Sequence, residues 1–294
     1  MSKRARDSRQ DASVKRAKKY ASAHERFTAG ANAFALEPGL RGFSITCTRG
    51  KERQSVKECL DLLTRYIYLE YPDLDPETSA PSPSQTEEPV ESIEDQVAKE
   101  VEEIKEQGKK ESQKLLVSLS TCTDCLIFLR TLPSIDPNRV LARLLPDLCR
   151  TRSSSTRFTL RIIPIIGSSY ANPGDMEALG KTLLPPIFHP TSGPTPSSFA
   201  VIPSMRNNDK VDRMALIHSL AAIVGKDIPA NLSKPDQVVV AEVLKSICLM
   251  GVLPNYYRYR KYNIRALVEE GERETEEEVK SKKSTSPQDK TEEE

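Results

Sequence analysis

The chain has 294 residues, 37% hydrophobic and 29% charged, with no Trp and a formal net charge of +1. This is polar for one or two compact domains and predicts long stretches that stay out of the core. No apolar run approaches the ~18 residues that a membrane-spanning helix needs, and Met1 to Tyr20 is basic and polar, without the apolar stretch of a secretory signal.

The chain is therefore expected to be intracellular, with its six cysteines (47, 59, 122, 125, 149, 248) as reduced thiols rather than a disulfide frame. The small net charge conceals a segregated distribution. Residues 1–26 hold nine Lys/Arg against three Asp/Glu, 70–111 hold four against fourteen, and 269–294 hold five against eleven. The remaining residues carry +11. A basic body between acidic appendages is what a phosphate backbone selects.

Residues 1–40 read as a disordered basic arm. Its clusters Lys3-Arg4-Ala5-Arg6 and Lys15-Arg16-Ala17-Lys18-Lys19 suit a nuclear localisation signal or a non-specific RNA-binding arm. Order is expected from near Gly42, where Phe43, Ile45 and Cys47 alternate with Ser44, Thr46 and Thr48 as a half-buried strand. Ser55 with Glu58 forms a capping box. The helix it opens carries Val56, Cys59, Leu60, Leu63, Tyr66 and Ile67 on one face and ends at Pro72. Residues 72–112, rich in Pro and then in Glu, read as a disordered acidic insertion, although Ile93, Val97, Val101 and Ile104 are spaced as a thin helical stripe.

Strands follow at Leu115 to Ser120 and Leu126 to Leu129, with Thr123-Asp124 as a tight hairpin turn between them. Asp136 as N-cap and Pro137 at the first helical position open a helix whose face is Val140, Leu141, Leu144, Leu145 and Leu148. Arg157 to Ile166 is the next strand. The order strand, helix, strand, strand, helix, strand is the split βαβ, ferredoxin-like arrangement.

In a second unit Asp175 to Phe188 reads as a helix broken by Pro185-Pro186, 190–198 as a loop, and Phe199 to Ile202 as a strand. Asp209 caps a helix with Val211, Met214, Ile217, Leu220, Ala221 and Val224 inward and Gly225 as its stop. Ser233 to Asp236 is a turn, and Val238 to Leu253 is one or two buried strands. Asn255 to Leu267 is basic and aromatic, and the acidic tail follows.

Several chemistries are missing. No two glycines are spaced G-x-G, which removes the phosphate and dinucleotide cradles. The three histidines (24, 189, 218) are scattered, and His218 beside the apolar stripe of its helix is expected to be structural. Cys122-x-x-Cys125 lacks the second ligand pair of a zinc site. No catalytic residue, metal or cofactor is expected.

A series of segments stands out: Gly42 to Cys47 with Lys51-Glu52-Arg53; Arg161 to Ile165; Ser204-Met205-Arg206-Asn207-Asn208; Arg213 with Leu220 to Val224; Leu232 to Asp236; Val239 to Val243 with Lys245 and Cys248; and Tyr256 with Arg260-Lys261-Tyr262-Asn263. Together they resemble the THUMP-domain tRNA acetylation adaptors. They occur in family order over about 41–265, apart from the acidic insertion, with Ala241 interrupting a V-V-V-E run.

The resemblance implies an α+β protein. A ferredoxin-like domain (41–166, with the 72–112 insertion) packs on an α/β THUMP domain (167–267), and an acidic disordered tail covers 268–294. It further implies an accessory protein without catalysis of its own. Such a protein binds tRNA and presents it to a separate RNA cytidine acetyltransferase–helicase, giving acetylcytidine in the D-arm of serine and leucine tRNAs. The location it implies is the nucleus, in particular the nucleolus, with the cytoplasm also open.

The residues themselves suggest where RNA would sit. Arg206, Asn207 and Asn208 lie between a strand and a helix N-terminus, which suits a phosphate. Tyr256, Tyr257, Arg258, Tyr259, Arg260, Lys261 and Tyr262 interleave cations with aromatic faces that can stack unpaired bases. Lys245 reads either as a paired buried cation or as a strand-end contact. Arg213 and Asn263 join the candidates through the resemblance. The alternative is a protein-interaction module without RNA, whose acidic segments engage a basic partner.

Overall fold

A computed structural model describes residues 35–74 and 114–269. The expectations for most of the basic arm, the acidic insertion and the tail lie outside the described residues.

The first sheet is built from β1 (Gly42–Cys47), β2 (Leu116–Leu119), β3 (Leu126–Thr131) and β4 (Thr159–Ile165), in the order β2-β3-β1-β4 with every pair antiparallel. Helix α1 (Glu52–Glu70) follows β1, and α2 (Pro137–Thr151) follows β3. Asp136 caps α2 by accepting the Asn138 N–H, with Pro137 in the first turn, and all five expected apolar residues of the helix are buried.

The second sheet contains β5 (Gly167–Tyr170), β6 (Phe199–Arg206), β7 (Gln237–Leu244) and β8 (Ile247–Pro254), in the order β5-β8-β7-β6. Only β6 and β7 run parallel among these pairs. Helices α3 (Pro173–Leu183), α4 (Pro185–Phe188) and α5 (Arg213–Val224) cover it.

Strand alternation sorts the cores. Val239, Ala241 and Val243 of β7, with Cys248, Met250 and Val252 of β8, share a core with Leu216, Leu220 and Val224 of α5. The opposite faces, Val238, Val240 and Leu244 with Ile247, Leu249 and Leu253, join the core of the first sheet. The layers are therefore helix, sheet, sheet, helix, and the near-continuous apolar run 238–253 is a hairpin buried on both faces.

The sheets approach closely where β4 passes β8. A Cβ on Gly251 would lie 2.2 Å from the Pro164 carbonyl oxygen, so only a glycine permits this approach. Beyond β4 the chain continues through Ile166, whose N–H donates to the Met250 carbonyl at 2.9 Å, directly into β5.

Local expectations fail where tertiary partners outbid local ones. Ser55 and Glu58 are no capping box. Helix α1 begins at Glu52, the Ser55 hydroxyl is buried 2.8 Å from Thr159 Oγ1, and Glu58 accepts the Phe158 N–H at 3.0 Å. Residues 35–40, assigned to the arm, are pinned: Ala35 donates to the Ser120 carbonyl, Gly39 to the Ser168 carbonyl, and Leu36 is buried.

Strand β1 is buried on both faces rather than half-buried, because the second sheet covers Ser44. The β2–β3 connection is a wider loop than a tight hairpin, closed by the Thr121 hydroxyl donating to the Leu126 carbonyl at 2.8 Å. Asp212, not Asp209, caps α5. Met214 is 55% exposed where burial was expected, and His218 is exposed rather than packed. The sequence Arg213–Val224 is apolar nearly all round, so its periodicity selects no unique face.

Candidate nucleic-acid interface

The candidate residues fall into two groups at opposite ends of the β7–β8 hairpin, roughly 25 Å apart at the usual rise per strand residue. The first group gathers where β6 ends and β7 turns into β8.

On the face of the second sheet that meets the first lies Glu242, 5% exposed. The Ser44 hydroxyl donates to its Oε2. Burial pushes the Glu242 carboxyl above the usual carboxylate range, against the opposing effects of the Ser44 hydrogen bond and the nearby Arg206 and Arg161 guanidiniums. Arg206 is half-buried, and its guanidinium favours the charged form of this inter-sheet carboxyl without an ion pair to it.

Past Arg206 the backbone turns through Asn207 in the left-handed region (φ 53°), whose side-chain amide donates to Thr123 Oγ1 at 3.3 Å, in the β2–β3 connection. Asn208 donates to the Lys245 carbonyl at 2.6 Å and accepts the N–H groups of Lys210 and Val211, both at 3.0 Å. Its amide oxygen and one amide N–H hold the loop, and the residue stays on the wall of the cleft described next. Lys245 occupies the β7–β8 turn at φ 51°, not an apolar strand, and its N–H donates to the Arg206 carbonyl at 3.1 Å. Arg213 opens α5 at the same end and is exposed.

These loops enclose a cleft of about 470 Å³ against residues 170–172. Two cations, Lys210 and Lys245, stand on its wall with the carboxylate of Asp209. Tyr170, 55% exposed, adds an aromatic face that the sequence reading missed. A lone tyrosine after two serines carries no sequence signal. It becomes visible only once β5 is seen to pair with β8 and end beside Lys245.

The second group resolves into two populations. Tyr256 and Tyr262 are buried, with ring centroids 6.2 Å apart in a stacked pair, and the Tyr262 hydroxyl donates to the Pro254 carbonyl at 2.9 Å. Their faces belong to the core, which corrects the expectation that they stack bases. Burial raises both phenols above their ordinary range. Arg258, Arg260 and Lys261 remain exposed, with the Lys261 ammonium 5.9 Å from the ring centroid of the exposed Tyr257. Asn263 forms a bridge with Arg161 at the edge of the first sheet and accepts the Ala266 N–H at 3.1 Å.

Of the cysteines, Cys47, Cys59 and Cys248 are buried, while Cys122, Cys125 and Cys149 are half-buried. All six thiols are free, and burial pushes Cys47 and Cys248 up to about 12 and Cys59 up to about 11. Cys125 is raised as well, by burial and then by Glu52 and Asp124. Among the described residues no three His, Cys, Asp or Glu side chains gather as a metal site. His189 lies 2.8 Å from the Val224 carbonyl at the end of α5.

The THUMP domain model matches residues 170–253, from the exposed tyrosine to the end of the buried hairpin. Mouse THUMP domain-containing protein 1 is 33% identical over 239 residues, covering 79% of this chain and 66% of the mouse protein. An uncharacterized protein of Schizosaccharomyces pombe is 32% identical over 237 residues, which is 81% of this chain and 79% of that one. The chain belongs to the THUMP domain-containing protein family.

It spans just under two thirds of the mouse relative's length. It is also similar to the tRNA acetyltransferase TAN1 of Saccharomyces cerevisiae, at 29% identity over 254 residues, 80% of this chain and 86% of that one. The Tyr170–Lys245 cleft lies inside the THUMP match; the Tyr256–Asn263 segment lies beyond it.

Proposed function

We propose that this THUMP protein binds tRNA and, without an active site of its own, presents it to a separate RNA cytidine acetyltransferase. The observation that carries the reading is the cleft within the THUMP match. It joins two lysines and an exposed aromatic face on a rim shaped by the Asn207 and Asn208 side chains. Cations that contact phosphates beside an aromatic surface suit RNA with unpaired bases. The name of the yeast relative supports acetylation as the process served.

The finer parts of the proposal are an acetylcytidine product in the D-arm of serine and leucine tRNAs, an acetyltransferase–helicase as partner, and a nuclear or nucleolar location. The division at 166/167 and the ferredoxin-like reading of the first unit belong to it too, supported by the strand order β2-β3-β1-β4.

The test is mass spectrometry of acetylcytidine in tRNA and, separately, in ribosomal RNA after deletion of the gene. Loss from tRNA alone, restored by wild type but not by Lys210→Glu/Lys245→Glu, is expected. Unchanged tRNA acetylation would refute the proposal and move the protein-interaction alternative to the front. Arg206 is a poor choice for this test, because it is half-buried and its charge also acts on the buried Glu242.

A further inference from the structure

The end of the β7–β8 hairpin remote from the Lys245 cleft carries a second surface, built from the loop before β7 and the turn after β8. Leu232 in that loop is 74% exposed, the most of any large hydrophobic side chain among the described residues. A single exposed leucine is ordinary, but this one is held in place. The Asn231 side chain accepts the Ser233 and Lys234 N–H groups at 2.9 and 3.0 Å, and the Asn231 N–H donates to the Phe199 carbonyl at 2.7 Å. The Tyr257 hydroxyl donates to the Leu232 carbonyl at 3.0 Å.

Tyr257 ties the two segments together. Its ring lies 5.3 Å from that of Tyr256 in a T-shaped pair and 5.9 Å from the Lys261 ammonium. Leu232, Tyr257 and Lys261 are thus linked by direct contacts. Lys261 sits at the middle of a left-handed turn, Arg260, Lys261 and Tyr262 having φ of 49°, 58° and 60°. Three successive residues with a Cβ are disfavoured there, and such a turn persists only where its surroundings enforce it. The buried Tyr262 ring does so, together with the Lys261 N–H that donates to the Tyr256 carbonyl at 2.8 Å. Both segments therefore present their side chains in fixed positions, which lowers the ordering cost of binding.

Residues 231–236 and 255–261 hold four cations, Lys234, Arg258, Arg260 and Lys261, against one carboxylate. That carboxylate, Asp236, accepts the Ser197 N–H at 2.9 Å. Tyrosine and arginine around an apolar anchor are what protein interfaces concentrate. RNA would use the cations, but a leucine offers nothing to a phosphate, and a base stacked on Tyr257 would have to displace Lys261. The surface therefore fits a protein partner whose apolar socket is rimmed by carboxylates. It stands roughly 25 Å from the Lys245 cleft, the length of the hairpin, which keeps two binding events apart.

We propose that Leu232, Tyr257 and Lys261 form the surface on which the acetyltransferase docks, through an acidic-rimmed apolar socket on that enzyme. The inference rests on the adaptor reading given above.

The test uses the full chain and the purified acetyltransferase of the same organism, both RNase-treated, in biolayer interferometry, with tRNA affinity measured separately by filter binding. Leu232→Asp is expected to weaken acetyltransferase binding about tenfold. Lys261→Glu is expected to weaken it about threefold, an effect that shrinks with added salt. Both side chains are exposed, so both variants should melt as wild type does and keep its tRNA affinity. Acetyltransferase binding equal to wild type in both variants would overturn the proposal and leave the adaptor reading standing. Unchanged acetyltransferase binding with weakened tRNA binding would overturn it as well, and would make the surface an RNA contact. No binding of wild type to the enzyme, with or without tRNA, would overturn both readings.

Discussion

Replacing Gly251 by alanine tests the packing of the two sheets most directly. The new Cβ would sit 2.2 Å from the Pro164 oxygen and 3.3 Å from its carbonyl carbon, against an ordinary contact of 3.4 Å or more. Both partners are strand backbone, so no rotamer change relieves the clash, and the sheets must separate by about an ångström. Overpacking of this kind costs about 1–3 kcal/mol. Against it stands the loss of a strand glycine, worth about 0.5–1 kcal/mol in the variant's favour. At the centre of both ranges the clash wins, with a net loss of about 1 kcal/mol, or roughly 2–4 °C in Tm for a folded body of this size.

Gly174→Ala is the control, since its Cβ would meet only the Asn172 side-chain oxygen, at 3.6 Å. Thermal melting followed by circular dichroism reads both. A Gly251→Ala protein as stable as wild type would mean that β4 and β8 do not approach as described.

Further outcomes follow from the polar groups. The Glu242 carboxyl is displaced upward in the folded state, so its contribution to stability is full below the usual glutamate value and is lost as pH rises through the raised one. Glu242→Gln should therefore match or exceed wild type in urea melts at pH 8 and flatten the pH profile, while a loss above ~2 kcal/mol there would show an ionised carboxylate held by arginine. Asp136→Ala and Asp212→Ala should each lose about 1 kcal/mol in such melts, whereas Asp209→Ala should stay within about 0.5 kcal/mol. In filter-binding titrations with tRNA, Lys210→Ala and Lys245→Ala should each lower the slope of log K against log salt by about 0.7–0.9; slopes that do not move would remove these lysines from the phosphate contacts.

Much of the fold is legible because its helices and strands bury what their periodicity says. Asp136-Pro137 and the Val140–Leu148 stripe need no tertiary information, and 238–253 is too apolar and β-branched to be anything but buried strand. Strand β5, Gly167–Tyr170, escaped notice because it is small and polar, and it is a strand only through its pairing with β8. The Ser55–Glu58 spacing satisfied a local rule, yet both side chains found a partner in Thr159 of β4, about a hundred residues away. Local motifs mislead where the sequence offers a better non-local hydrogen bond.

The same distinction decides the site. In the sequence, Arg206 and Lys245 are cations at the edges of apolar runs, and Tyr256 and Tyr257 are adjacent tyrosines in a basic segment. Depth separates them. Tyr256 is 5% exposed and Tyr257 37%, so only the latter can offer a face to a ligand. The charge of Arg206 acts on a buried carboxyl that also anchors Ser44 of the first sheet, which links the cleft to the inter-sheet contact. The loop 207–210 bears on the first sheet as well, through Asn207 and Thr123. The geometry of the Lys210–Lys245 cleft therefore depends on how the two sheets are seated. A change that loosens the sheets, such as Gly251→Ala, is expected to weaken tRNA binding without touching a single cation at the surface.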